Sequence, residues 1–288
     1  MIISKKTTGT FFALLIIFSA AKAQETTWQE YMRNMTFSPR YFGPNAFPLP
    51  ELRSGYLDNR IEVELRGEYH AYKGDQAKDI YGRILIPVAE GRAGIEVSGV
   101  FYEYYHMTQE TVIERHTSGQ YWPDGARGDL IISSFYQLFG KNKWVDLLLE
   151  SSLKTASGTR LSDARYTDAA SYWFDVNAGF HLYKDAGSSS FIRLQGLVGF
   201  YCWMTNEIVH RQNDAFLYSA GINGGTNNLK MQVDIAGFVG YKNIGDRPII
   251  LRTKLNYEFR NNILSFRFKH GINDYFYNTC SLAYIRCF

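Results

Sequence analysis

Long apolar runs are missing from this sequence once its first two dozen residues are passed. No stretch of about 18 consecutive apolar residues follows, so no transmembrane helix is expected. Cysteine is scarce: Cys202, Cys280 and Cys287 are the only three, an odd number that gives no disulfide framework. Cys280 and Cys287 share one extended segment and stand roughly 23 Å apart at about 3.3 Å per residue, beyond the ~7 Å reach of a bridge. Pairing of Cys202 with either stays open, and buried or lipid-facing thiols are the simpler expectation. A charge excess is lacking too, since a net +3 offers no basic surface to nucleic acid. There is no P-loop, no dinucleotide fingerprint, no Cys-x-x-Cys and no Gly-x-Ser-x-Gly, so neither a cofactor nor a metal is expected.

What is present begins with an address. Lys5 and Lys6 precede an apolar run from Phe11 to Phe18 and an Ala21-Lys22-Ala23 site, the layout of a cleaved signal peptide covering residues 1–23. The mature chain then starts at Gln24, and no cysteine follows the cleavage site to carry a lipid anchor. Aromatic residues make up 16% of the chain, yet mean hydropathy is slightly negative, so apolar and polar residues are interleaved. Arg60–Tyr72 shows how: Ile61, Val63, Leu65, Gly67, Tyr69 and Ala71 alternate with Glu62, Glu64, Arg66, Glu68 and His70.

That alternation recurs to the last residue. Twelve segments carry it: Arg60–Tyr72, Asp79–Ala89, Ala93–Met107, Asp129–Phe139, Trp144–Thr155, Asp168–Lys184, Ser190–Thr205, Asp214–Asn223, Leu229–Lys242, Pro248–Arg260, Ile263–Gly271 and Tyr275–Phe288. Loop-like Lys73–Lys78, Thr108–Arg127 and Ser157–Thr167 alternate with turn signals at Glu90-Gly91-Arg92, Gly140–Lys143, Ala186-Gly187-Ser188, Gly224–Asn227 and Asn261-Asn262. Exported chains with this pattern form transmembrane antiparallel β-barrels, apolar face to lipid and charged face to lumen. The fold class is therefore all-β, a barrel of about twelve strands (ten to fourteen) over residues 60–288. Short turns fall on one side and longer loops on the other, which places both termini in the periplasm for an even count.

Residues 24–59 do not alternate. Trp28–Met35 suits a short amphipathic helix, and four of the seven prolines, Pro39, Pro44, Pro48 and Pro50, exclude a paired central strand from the stretch that follows. A leader packed against the periplasmic rim is preferred to a plug folded into the lumen. At the other end, Leu282, Tyr284 and Phe288 resemble the aromatic-ended last strand that the barrel-assembly machinery of outer membranes reads, with Arg286 interrupting the alternation. Tyr41–Pro50, Lys154–Gly158 and Ala164–Asp168 give the chain a resemblance to uncharacterised outer-membrane barrels of Bacteroidota. The chain is expected to be a monomer in the outer membrane of a Gram-negative bacterium, with membrane lipid and the assembly machinery as partners; the resemblance tells nothing of an activity.

Function is sought on the inward faces. The expected lumen lining comprises Glu62, Glu64, Arg66, Glu68, His70, Arg83, Glu96, Glu150, Asp175, Arg193, Arg252, Lys254, Glu258, Arg267 and Lys269. Tyr102 and Tyr104 are expected roughly inward as well. Arg252, Lys254, Arg267 and Lys269 form a two-by-two basic patch facing acidic residues, with Glu258, Glu62, Glu64 and Glu68 as expected partners. This is either a narrow channel or binding site for small polar solutes, or a lumen closed by salt bridges. The alternatives are a lipid-modifying enzyme and a structural or adhesion barrel acting through its loops. No catalytic set converges in sequence: Asp175 and His181 are roughly 20 Å apart along a strand at about 3.3 Å per residue. Glu68 and His70, with Arg66, are the nearest local approach to one. Thr155, Ser157, Arg160, Arg165, Tyr166 and Asp168 in the longer loops present donors able to hold an anion or sugar at the mouth.

Overall fold

The computed structural model describes residues 34–117, 123–140, 144–185, 187, 189–207 and 209–288. The expected signal peptide, most of the Trp28–Met35 helix and parts of the turns at 140–143 and 186–188 lie outside them. The strands are β1 (Glu62–Tyr72), β2 (Asp75–Val88), β3 (Ala93–Met107), β4 (Asp124–Ala126), β5 (Leu130–Phe139), β6 (Asp146–Lys154), β7 (Ser171–Lys184), β8 (Phe191–Met204), β9 (Gln212–Thr226), β10 (Leu229–Gly240), β11 (Ile249–Phe259), β12 (Asn262–Asn273) and β13 (Asn278–Cys287). All but β4 form a closed antiparallel barrel of 12 strands, sealed where β13 pairs with β1 from Glu62↔Cys287 to Ala71↔Asn278. The short β4 adds only to the loop end of β3. Closure leaves no sheet edge, and strands of this length cross a bilayer when tilted.

Period two explains the outer surface. Val63, Leu65 and Tyr69 on β1, and Ile192, Val198 and Phe200 on β8, are exposed, while Glu64, Arg66, Glu68, Arg193 and Gln195 between them are buried. An exposed apolar belt around a buried polar interior is the inverse of a soluble sandwich and suits lipid outside. Leu282, Tyr284 and Phe288 lie on that outer face, and Arg286 reaches Asn262 at 2.9 Å while lying over the Phe288 ring.

Three local readings are corrected. β2 begins at Asp75, so Lys73–Gly74 is a tight turn, with Gly74 at φ 95°, and Lys73–Lys78 is no loop. Its first residues put Asp75, Ala77 and Asp79 inside and Gln76 and Lys78 outside, a pattern that lacks the apolar outer face of the other strands. Gly224 and Gly225 belong to β9, and the chain turns at Asn227, φ 46°. In β3 a bulge opposite Ile80 and Tyr81 skips Phe101, so Phe101 and Tyr102 both face outward. The alternation resumes with reversed phase: Tyr104 is outside, and Glu103 and Tyr105 are inside.

The largest correction concerns the segment before β1. It runs through the barrel instead of packing on the rim. Near the loop end, Asn206 donates to the Met35 carbonyl, the Trp203 indole to the Phe37 carbonyl, and Ser38 to the Ile244 carbonyl. Asn45 reaches Asp79 and Glu103, Arg53 reaches Glu96 and Glu150 at mid-height, and at the turn end the Leu57 amide donates to Gln137. Gly55, at φ 79°, and Gly179 on β7 make the close passage possible: a Cβ on Gly55 would lie 2.6 Å from the Asp146 carbonyl oxygen, and one on Gly179 2.3 Å from that of Ser54.

Candidate functional site

The interior divides into two halves of different chemistry. Toward the loop end, Phe37, Phe42 and Phe47 of the threaded segment pack with Trp173, Tyr201, Trp203 and Phe238 of the wall. The rings meet edge-on, Phe42 to Phe47 at 5.5 Å and Phe47 to Trp203 at 5.6 Å. This is an ordinary apolar core placed inside a membrane barrel, and each buried ring contributes about 1.5–3 kcal/mol.

Below it the contacts are ionic. Arg83 on β2 donates to Glu62, Glu64 and Glu96 at 2.8, 2.8 and 3.0 Å. Arg66 bonds Glu64 at 3.0 Å, pairs with Glu68 at 3.3 Å, and lies 3.8 Å over the Tyr81 ring. The register of β11 with β12 sets Arg252 opposite Lys269 and Lys254 opposite Arg267, the two-by-two patch expected from the spacing. Like charges this close need carboxylates beside them. Arg267 has Glu64 at 2.9 Å, Lys269 has Glu68 at 3.6 Å, and Arg252 has Asp234 at 2.7 Å. Glu258, expected as a partner, is turned to Lys230 and Arg60.

Glu51 and Arg53 of the threaded segment complete this array. The Glu51 carboxylate meets the basic side, 2.7 Å from Arg267, 3.6 Å from Lys254 and 3.7 Å from Arg66, and its side chain remains half-exposed to the lumen. The Arg53 guanidinium meets the acidic side, 3.0 Å from Glu96 and 3.2 Å from Glu150, over the Phe135 ring at 4.3 Å. Asp175, beside Glu150 on the neighbouring strand, accepts from Asn177. Arg193 bonds Asp146 and the Ser54 carbonyl. A cavity of about 160 Å³ remains between the segment and the wall at mid-barrel, lined by Glu51, Arg66 and Lys254 among others. A second, of about 530 Å³, opens at the turn end beside Arg53, Tyr56 and Lys230.

His70 sits in the wall with both ring nitrogens engaged, Nδ1 to Thr279 at 2.8 Å and Nε2 to Asp79 at 2.8 Å. The chain hydroxyl–imidazole–carboxylate has the contact order of a nucleophile relay. All three side chains are buried, and none lines either of these two cavities. Glu68, His70 and Asp79 also bring one ligand atom each within 4.8 Å, but Glu68 is already held by Arg66, Lys269 and Ser281, and a cation there would face two cations.

The loop residues do not gather at the mouth. Arg165 is wholly buried, donating to Asp75 at 2.6 Å and Glu103 at 2.7 Å and stacking on Tyr105 at 4.5 Å. Burial works against its charge, but Asp75 and Glu103 hold its pKa well above the ordinary arginine value. Tyr166 is buried on Glu103, and Arg160 is occupied by Asp124. Thr155 and Ser157 bond the Leu130 backbone, and Asp168 is exposed at φ 45°. Asp75 also receives Arg115, which follows the helix α1 (Gln109–Glu114), and the Tyr277 hydroxyl. Sequence reasoning missed Glu51, Arg53, Asp75, Glu103, Asp234 and Arg115. Only the odd charge pair directly after the proline-rich stretch, Glu51 and Arg53, left a readable signal.

No family model matches the chain, and no curated protein matches it. Among solved structures it is similar to the COG4313 outer membrane channel from Pseudomonas putida F1, at 10% identity and TM-score 0.52, covering 85% of this chain and 98% of that one. It is also similar to the KdgM porin, at 11% identity and TM-score 0.48 over 79% and 99% of the two chains. The transport unit of the autotransporter AIDA-I from Escherichia coli aligns at 9% identity and TM-score 0.46, over 87% and 99%. The fold shared with the first is that of outer-membrane barrels of Gram-negative bacteria.

Proposed function

We propose that this protein is a monomeric outer-membrane channel for small polar solutes whose lumen is closed by its own N-terminal segment. The observation that carries the reading is the split in how that segment is held. Its upper half is fixed by aromatic packing, whereas Glu51 and Arg53 below are held by ion pairs in a charged lumen with cavities beside them. The Glu51 carboxylate is half-exposed, so its pairs with Arg267, Lys254 and Arg66 are cheaper to exchange than packed rings are to unpack. The charged wall supplies what a permeating solute needs to replace its hydration shell. The outward Leu282, Tyr284 and Phe288 favour delivery through the barrel-assembly machinery.

Planar-bilayer recording tests the proposal. Wild-type protein should be closed most of the time, and the Glu51→Gln/Arg53→Gln double variant should raise the open fraction about tenfold. A variant that stays as closed as wild type would make the segment a permanent core and the protein a structural barrel.

A further inference from the structure

The threaded segment is not gripped by its charges alone. Over five residues the wall also takes its main chain. Arg252 donates to the Pro50 carbonyl at 2.7 Å and Gln232 to the Leu52 carbonyl at 3.2 Å. Asn177 accepts from the Arg53 amide at 2.8 Å, and Arg193 donates to the Ser54 carbonyl at 2.6 Å. These four wall residues come from four strands, β11, β10, β8 and β7, of one continuous arc of the barrel, so that arc takes the main chain along its length while the charges reach to both sides. The charges are ordered as well. The acidic residue faces Arg267, Lys254 and Arg66, and the basic residue two positions on faces Glu96 and Glu150.

A wall built only to pass small ions would need charge and no main-chain partners. Spaced amide and carbonyl contacts, with a carboxylate pocket and a guanidinium pocket two residues apart, are what an extended peptide requires. Residues i and i+2 of such a chain lie about 6.6–7 Å apart, which sets the separation of the two charges to be recognised. The turn-end cavity runs beside the same residues and gives a path to them.

From this we infer that the lumen is a recognition site for short extended peptides bearing an acidic side chain and, two residues later, a basic one. Residues 50–54 occupy that site in cis and are displaced by the solute. The inference rests on the lumen being the solute site, as in the function proposed above. It adds direction and class to that reading: the polarity of the field across the lumen selects one order of charges over its reverse.

The test uses the full-length chain in detergent. In the Glu51→Arg/Arg53→Glu variant the segment's own charges are repelled by both pockets, leaving the site open to competition. Two fluorescent, end-blocked pentapeptides serve as probes: the sequence of residues 50–54, and the same sequence with its acidic and basic residues exchanged. By fluorescence anisotropy the native-order peptide should bind the variant at least tenfold more tightly than the exchanged peptide. It should also bind the variant at least tenfold more tightly than wild type, whose site is filled. If heat-modifiable migration shows that the variant has not folded, Glu51→Gln/Arg53→Gln replaces it with the same two criteria. Equal affinity for both peptides, or no binding to the folded variant, overturns the inference. Conductance of the same protein separates this from the broader reading. A variant that conducts without discriminating between the peptides removes only the peptide specificity, and one that discriminates without conducting removes only the channel.

Discussion

Arg165 shows how a single side chain closes the loop end. It spans two carboxylates from different strands, Asp75 and Glu103, and among the described residues no other bonds both. Removing one partner of a buried charge set leaves the others uncompensated, at about 3–5 kcal/mol. Arg165→Met should therefore lower stability by that order in a detergent unfolding titration. Arg165→Lys should recover only part of it, because an ammonium cannot fork between two acceptors. The basic patch behaves differently, because three of its members hold the threaded segment, Lys254 at 3.6 Å from Glu51 being one. Arg252 donates to the Pro50 carbonyl and Arg267 to Glu51. Replacing both by Ser should raise the open fraction in planar bilayers and shift ion preference toward cations, since the acidic wall of Glu62, Glu64 and Glu68 would then be left in excess. Unchanged conductance and preference would mean that these two side chains do not govern the pore.

At the scale of elements, period two carried most of the fold. Segments with an apolar outer row, such as Ser190–Thr205 and Leu229–Lys242, were legible to within a few residues because lipid outside and charge inside demand strict alternation. Legibility failed where a physical cause broke the period. The bulge in β3 reversed its phase and hid Glu103, and the polar start of β2 read as loop because water, not lipid, faces it. Of the candidate site, the wall half was readable from charge spacing. The half contributed by residues 50–54 showed only as the charge pair Glu51 and Arg53, and its place in the lumen was not legible, since an extended strap held by side-chain pockets needs no repeat at all. That strap is anchored from above by rings, which gives a separable expectation. Phe47→Ala removes a ring packed on Phe42 and Trp203 and should cost about 3–5 kcal/mol in detergent stability. The loss should be nearly independent of salt, in contrast to the lower contacts, which salt weakens.

On the scale of the whole molecule, the threaded segment changes which side the chain comes from. An even strand count places both ends of a bare barrel on the turn side, as expected from the sequence. Here β1 does start at that end, paired through Ile61 to Phe288, but the residues before it climb the lumen to the loop end. Asn34, exposed beside the loops that carry Asn206 and Ile244, thus lies at the opposite end of the barrel from Phe288. If the longer loops face outside, as they do in outer-membrane barrels, the N-terminal side of the segment is displayed on the cell surface. Asn34→Cys should then react with a membrane-impermeant maleimide on intact cells. The wild-type chain is the control: Cys202 and Cys287 are buried, and Cys280 lies on the lipid-facing row of β13. A cysteine at Asp58, at the turn end, should react only after the outer membrane is permeabilised. Labelling of Asn34→Cys only after permeabilisation would invert the orientation and, with it, the side from which a solute meets residues 50–54.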